Sequence, residues 1–289
     1  MRFLPLSLPA IAATTITGCA GSTVGSGVGD KLLAQPPYYA GAAQPELSCV
    51  AHLPIVYQRG DRFDPSSDAG TPLARLLGDM NARLDSMARS VPLRGPALPG
   101  TPPDVSFGCE LDATGDCLPI EDQSDPHAKR LRLAVARPSG PWVAAARERA
   151  AAAGAAALLV VTVEIGQHWV HQRNLLGAKE LRLGTGYVQR IPWLTSLDAP
   201  VQVVQLTGAV VNPDGRAIRI GAEGLLARRT GIVMSGFGAQ ALIREEDIAE
   251  LRELRREDLP GRPLVWEAAL ETLTRDLTGG SDAARCRAG

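Results

Sequence analysis

Ala153-Gly-Ala-Ala-Ala-Leu-Leu-Val-Val-Thr-Val163 decides the fold. From Ala156 to Ile165 the chain is almost continuously apolar and rich in Val and Leu. A strand with one wet face alternates; a run without alternation predicts a strand buried on both faces. The run is too short for a membrane helix, which needs about 20 apolar residues. Just before it, Pro141–Ala153 is Ala-rich and reads as a helix, with Gly154 placed to stop it. Leu131–Ala136 reads as a further strand.

Working outward toward the C-terminus, Val204-Gln-Leu-Thr-Gly-Ala-Val-Val-Asn-Pro-Asp-Gly-Arg216 holds a hairpin. Val201–Val211 is the outgoing strand and Ala217–Ala227 the returning one. Asn212-Pro213-Asp214-Gly215 supplies the φ values that a tight turn demands. Gln167–Tyr187 is more polar, with room for a strand at each end, and Thr230–Gln240 is Gly-rich and loose. Two helices follow. Glu245–Arg256 has acids in its first turn and arginines in its last, which complements the helix dipole. Pro263–Leu277 sets Trp266, Ala269, Leu270, Leu273 and Leu277 on one face, and Gly279-Gly280 ends it.

Toward the N-terminus, Cys49–Tyr57 reads as a first strand. Thr71 is an N-cap with Pro72 at the first helical position. Leu73, Leu76, Leu77, Met80, Leu84 and Met87 then recur at helical spacing, as a core stripe. Prolines 92, 96, 99, 102 and 103 mark an irregular surface segment that runs into an acidic stretch, 104–127. The expected class is α+β: a mixed β-sheet with helices packed on one face, a long Cys/Pro-rich insertion over 91–128, and two C-terminal helices. The 289 residues divide into a leader (1–18), a tether (19–46), one globular domain (47–280) and a short tail (281–289).

The leader opens Met1-Arg2 and is apolar from Phe3 to Ile16, roughly the length of a signal-peptide core and short of a spanning helix. It closes on Ile16-Thr17-Gly18-Cys19. That pattern resembles the lipobox of bacterial lipoproteins, which implies lipidation of Cys19. One acyl chain holds only marginally, at about 0.8 kcal/mol per buried CH2, so the multiple chains of that class make anchoring effectively permanent. Ala20 in place of Asp is similar to the sorting pattern for the outer membrane. The stretch from Ala20 to Pro45 is rich in Gly, Ser, Ala, Gln and Pro and reads as a leash of about 28 Å mean reach. Within it, Pro36-Pro37-Tyr38-Tyr39 is the one patterned piece; linker is favoured over docking segment.

A net charge of −1 excludes the basic surplus of a nucleic-acid-binding domain. Setting Cys19 aside leaves Cys49, Cys109, Cys117 and Cys286. Four cysteines in an oxidising compartment allow three pairings. The favoured pairing is Cys109–Cys117, which is local, with Cys49–Cys286 tying the domain ends. The chain-entropy model gives about 2.5 kcal/mol for the small loop and up to about 5 for the large one. Free thiols are the alternative; a zinc site lacks the C-x2-C spacing.

No catalytic motif stands out, and no metal or cofactor is expected. His168 and His171, near Glu164, fall on opposite faces of a strand, and no His-Glu-x-x-His exists. His52 and His127 are lone. Ser235 sits in Met-Ser-Gly-Phe-Gly, not in a nucleophile elbow. Gly184-Thr-Gly186 lacks the third glycine of a dinucleotide fold, and Asp112–Asp116 lacks the run of a calcium loop. Glu223, between Ala222 and Gly224, is the carboxylate of most interest: a surface edge position is favoured, and an inward one needs a partner such as Arg219 or Arg229. Trp169 and Trp193 flank polar residues and are candidates for a binding patch, with core packing the default.

The order strand–helix, strand–helix–strand, then a hairpin resembles the small α+β domain of several envelope proteins: curli-secretion-type lipoproteins, penicillin-binding-protein-activator lipoproteins and the TolB amino-terminal domain. The residues that carry the resemblance are the two stretches quoted above and Leu264-Val-Trp-Glu-Ala-Ala-Leu-Glu-Thr-Leu273. The insertion around Cys109–Asp125 and the long Gln167–Tyr187 stretch depart from it. The resemblance implies a non-catalytic, periplasm-facing outer-membrane lipoprotein, or one on the outer face of the cytoplasmic membrane where no outer membrane exists. Its implied partners are the lipid bilayer, through Cys19, and an envelope protein or a second copy; no nucleic acid is expected. A ring-forming secretion lipoprotein, needing a membrane hairpin from Gln167–Leu197, is the alternative. An envelope hydrolase using Glu223 or the two histidines ranks below it.

Overall fold

The computed structural model describes residues 38–39, 47–58, 70–107, 110–111, 117–118, 133–171, 179–184, 187–191, 198–229, 243–257 and 259–279. In chain order the strands are β1 Tyr38–Tyr39, β2 Val50–His52, β3 Val56–Gln58, β4 Val91–Pro92, β5 Asp104–Phe107, β6 Glu110–Leu111, β7 Cys117–Leu118, β8 Leu133–Ala136, β9 Ala157–His171, β10 Lys179–Gly184, β11 Tyr187–Ile191, β12 Asp198–Val211 and β13 Ala217–Arg229. The helices are α1 Pro72–Ser86, α2 Gly140–Ala152, α3 Glu245–Glu253 and α4 Val265–Thr278. The class is α+β with a mixed sheet.

The apolar run becomes the middle of that sheet. β9 pairs antiparallel with β12 from Leu158↔Val211 to His171↔Asp198. β12 turns back into β13 through the predicted corner: Gly215 N–H donates to the Asn212 carbonyl at 2.9 Å, and Gly215 takes φ +81°. The Asn212 side chain locks the turn by accepting from the Asp214 and Arg216 amides at 3.1 and 2.9 Å. On the other side of β9, β2 and β3 both pair parallel to it, and β4 extends β2 in parallel. β1 pairs antiparallel with the outer edge of β13, Tyr38 opposite Ile220 and Tyr39 opposite Arg219.

Alternate residues of β9 enter two cores. Leu159, Val161, Val163 and Ile165 pack with α1, α3 and α4 on one face. Leu158 and Val160 pack with Trp142, Ala146 and Ala150 of α2 on the other. The expectation of helices on one face is therefore corrected: the absence of alternation in β9 requires a cover on both. Small Ala146 and Ala150, each fully buried, let α2 lie close to the sheet. Each large apolar side chain sealed in this way contributes about 1.5–3 kcal/mol.

α1 begins as its caps dictate, with Thr71 Oγ1 accepting from the Ala74 amide at 3.2 Å, and it buries Leu73, Leu76, Met80 and Leu84. The single strand expected over Cys49–Tyr57 is instead two. Pro54 lacks an N–H to donate, and the chain breaks there between β2 and β3. Asn81 of α1 bridges the break: Ile55 N–H donates to its Oδ1 at 2.7 Å, and its Nδ2 donates to the Ile55 carbonyl at 3.1 Å. α4 approaches the sheet over Gly208 and Gly221, which face each other in the ladder. It ends at Gly279 in the left-handed region, φ 65°.

Candidate functional site

Among the described residues, the arrangement that most resembles catalytic machinery is built on His52. β2 carries this imidazole into the interior, where it is 2 % exposed. Asp85, near the end of α1, and Ser90, just before β4, reach it from opposite sides. Nε2 lies 2.8 Å from Asp85 Oδ1, and Nδ1 lies 2.8 Å from Ser90 Oγ. A carboxylate only accepts, so Nε2 carries the proton, and Nδ1 accepts from the Ser90 hydroxyl. Burial pushes the His52 pKa below its usual value of 6.5, against the raising effect of Asp85. The imidazole is thus neutral and poised, on paper, to take a proton from a serine.

Access decides against a hydrolytic role for these three residues. Ser90 is 3 % exposed, whereas the Asp85 side chain is 60 % exposed. A nucleophilic triad needs the reverse: a serine open to a substrate carbonyl and a sheltered acid. The chain of hydrogen bonds instead staples α1 and β4 to β2. Sequence reading missed it because Asp85 and Ser90 lie 33 and 38 residues from His52. The one available signal was that a histidine inside Val50-Ala51-His52-Leu53 must find partners if it is buried.

The sequence candidates fall as follows. Cys49 is disulfide-bonded and 2 % exposed; Cys19, Cys109 and Cys286 lie outside the described residues, and Cys117 is described only as backbone in β7. Glu223 is 5 % exposed, so the expected surface position is corrected. It stands opposite Leu206 in the ladder, on the face that α4 covers, and it is not without a partner. His168, Trp169 and His171 all lie in β9, and their side chains are outside the described residues. Trp193, His127, Ser235 and Asp112–Asp116 also lie outside them.

Two further features have binding chemistry. A shallow cavity of about 340 Å³ is lined by Arg137, Pro138, Val143, Asp214, Gly215 and Arg216, with Arg147 paired to Asp214 at its edge. Across the sheet, β3, β9 and β12 present a polar row in which Gln205 is buried and Gln58 and Glu164 are half-buried. Among the described residues no group of three or more His, Cys, Asp or Glu gathers as a metal site, and no helix is long and apolar enough to cross a membrane. Compared with known proteins, the chain matches no family model, no curated protein and no solved structure.

Proposed function

We propose that this chain is a lipid-anchored envelope lipoprotein that works by binding or assembling with other envelope proteins and performs no catalysis. The observation that carries the reading is Ile16-Thr17-Gly18-Cys19 at the end of a short apolar leader. The accompanying fold reading is one α+β domain over 47–280, interrupted by a Cys/Pro-rich insertion and closed by two helices. The pairing of Tyr38–Tyr39 with the edge of β13 is consistent with a tether joined to its domain by strand addition, a mode also used to recruit extended partners. The burial of Ser90 supports the non-catalytic part.

Cells fed labelled palmitate test the anchor. The native chain is expected to take up label and a Cys19→Ala chain is not; label retained by the variant would sink the proposal. A crosslinked pull-down tests the partner. One dominant envelope protein is the result expected of an adaptor. A ladder of the chain with itself would favour the ring-forming alternative, for which the hairpin β10–β11 is the candidate membrane element. Its strands of 6 and 5 residues fall short of the roughly 9–11 that a tilted spanning strand needs.

A further inference from the structure

The cavity beside the β12–β13 turn has two walls, and both are fixed. One is the junction of β8 and α2, which contributes Arg137, Pro138 and Val143; the other is the turn, which contributes Asp214, Gly215 and Arg216. The Asn212 side chain holds the turn through the Asp214 and Arg216 amides. Ser139 holds the junction: its N–H donates to the Thr101 carbonyl at 3.0 Å, and its Oγ accepts from the Thr101 amide at 2.9 Å. The walls meet at Gly215, where a β-carbon would stand 2.7 Å from Pro138 Cγ and 2.9 Å from Val143 Cγ2. The result is a preformed cleft of about 340 Å³, at the small end of the range for small-molecule sites.

Its charge is one-sided. Arg137 and Arg216 line it from opposite walls, and Arg147 of α2 stands at the edge, paired with Asp214. Asp214 is the one carboxylate of the lining. The two side chains of that pair are 63 % and 60 % exposed, so their attraction is weak and screened by salt. Among the described residues no carboxylate pairs with the Arg216 guanidinium, and Arg216 is exposed. Arg137 is not without a partner, yet a guanidinium carries five N–H donors, more than a single partner takes up. A chain of net charge −1 thus sets arginines around a small cleft that otherwise presents proline, valine and glycine. Guanidinium forks match the oxygens of phosphate and carboxylate alike. Forks from two walls favour phosphate, whose oxygens are tetrahedrally placed, over a flat carboxylate with two.

We infer that this cleft is a phosphate-binding site, in which Arg216 and Arg137 clamp the phosphate group and Asp214 lowers the affinity by engaging Arg147. The inference goes beyond the proposed function and does not depend on it. A soluble phosphate compound and a lipid headgroup present the same oxygens, and the experiment separates them. The full chain, as Cys19→Ala so that no acyl chain contributes, is titrated by calorimetry with inorganic phosphate and with glycerol 3-phosphate, at an ionic strength held constant with chloride. The same protein is sedimented with phosphatidylcholine vesicles that hold or lack phosphatidic acid. One phosphate group per chain is expected to bind. Arg216→Gln should weaken it about fivefold, and Asp214→Asn, which releases Arg147, should tighten it about twofold. Heat from the soluble probes with no effect of phosphatidic acid identifies a soluble ligand; sedimentation that needs both phosphatidic acid and Arg216 identifies a headgroup. The substituted side chains are exposed, so the variants should fold; Arg137→Gln, with the same expected loss, is the second variant should Arg216→Gln not. No saturable binding of any probe, native affinity in the arginine variant that folds, or weaker binding by Asp214→Asn would overturn the inference.

Discussion

Arg219 of β13 donates from Nη1 to the Leu277 carbonyl at 2.9 Å, so a 5 % exposed guanidinium caps the last turn of α4. The carbonyls of a helix C-terminus lack partners within the helix, and here a strand residue supplies one. Gly279 is part of the same joint: a β-carbon there would run into Arg219 Nη1, and its φ of 65° is strained for any other residue. Arg219→Met is expected to cost about 1–3 kcal/mol, because it leaves a buried carbonyl without a donor. Gly279→Ala is expected to cost a similar amount, from strain and collision. The double variant should cost less than the sum, since removing the guanidinium removes the collision. Urea unfolding of the four proteins completes the cycle, and strict additivity would contradict the shared joint.

The approach of α4 to the sheet depends on Gly208 and Gly221. A β-carbon at Gly208 would lie 2.7 Å from Leu277 Cδ1, and one at Gly221 would lie 3.1 Å from Leu273 Cδ1. Leu273 and Leu277 are buried at 3 % and 0 %, so neither leucine has open space to turn into. Gly208→Ala should therefore destabilise by about 1–3 kcal/mol through overpacking, and Gly221→Ala by less. Thermal melts of the two variants check the ranking. Equal or reversed effects would mean that α4 shifts as a body.

These local devices also show where sequence reading stops. The helix of Thr71–Ser86, the turn at Asn212–Gly215 and the doubly buried β9 were legible because each depends on neighbours in sequence: a cap, a Pro-Asp-Gly corner, an unbroken apolar run. Glu223 was misplaced because burial of an edge-strand residue is decided by α4, more than forty residues further on. The second helix-covered face was missed because α2 carries only alanines and one tryptophan toward the sheet, a weak apolar stripe. His52, Asp85 and Ser90 carry no shared spacing, and their meeting is a product of the parallel β2–β4 pairing.

Asn81 gives a third prediction. It is the one side chain that both accepts from and donates to the main chain of Ile55, and its Nδ2 also lies 2.8 Å from the Leu77 carbonyl. It acts as a strand partner where Pro54 has interrupted the ladder. Asn81→Leu keeps the branching at Cγ and removes both hydrogen-bonding functions, and is expected to cost about 2–4 kcal/mol. Asn81→Asp, which keeps the acceptor for the Ile55 amide but loses the donor, should fall between the variant and the native chain. Denaturant midpoints measure both. A neutral Asn81→Leu would show that β2 and β3 are held by β9 alone.

His52 makes stability depend on pH, with a sign that the site determines. Its folded-state pKa is lowered from 6.5, chiefly by burial, so the unfolded chain binds this proton more readily than the folded one. Stability is therefore fully present above about pH 6.5 and is lost as the pH falls from there toward the lowered folded value. The loss approaches about 1.4 kcal/mol per pH unit inside that window. The native chain and His52→Gln should be compared by urea unfolding at pH 7.5 and pH 5. The substitution costs stability at pH 7.5, where the Ser90 and Asp85 hydrogen bonds are intact, and the gap should narrow at pH 5, because glutamine does not titrate. The other histidines contribute equally to both proteins and drop out of the difference. A gap that widens on acidification would mean that Asp85 outweighs burial and holds the imidazole charged.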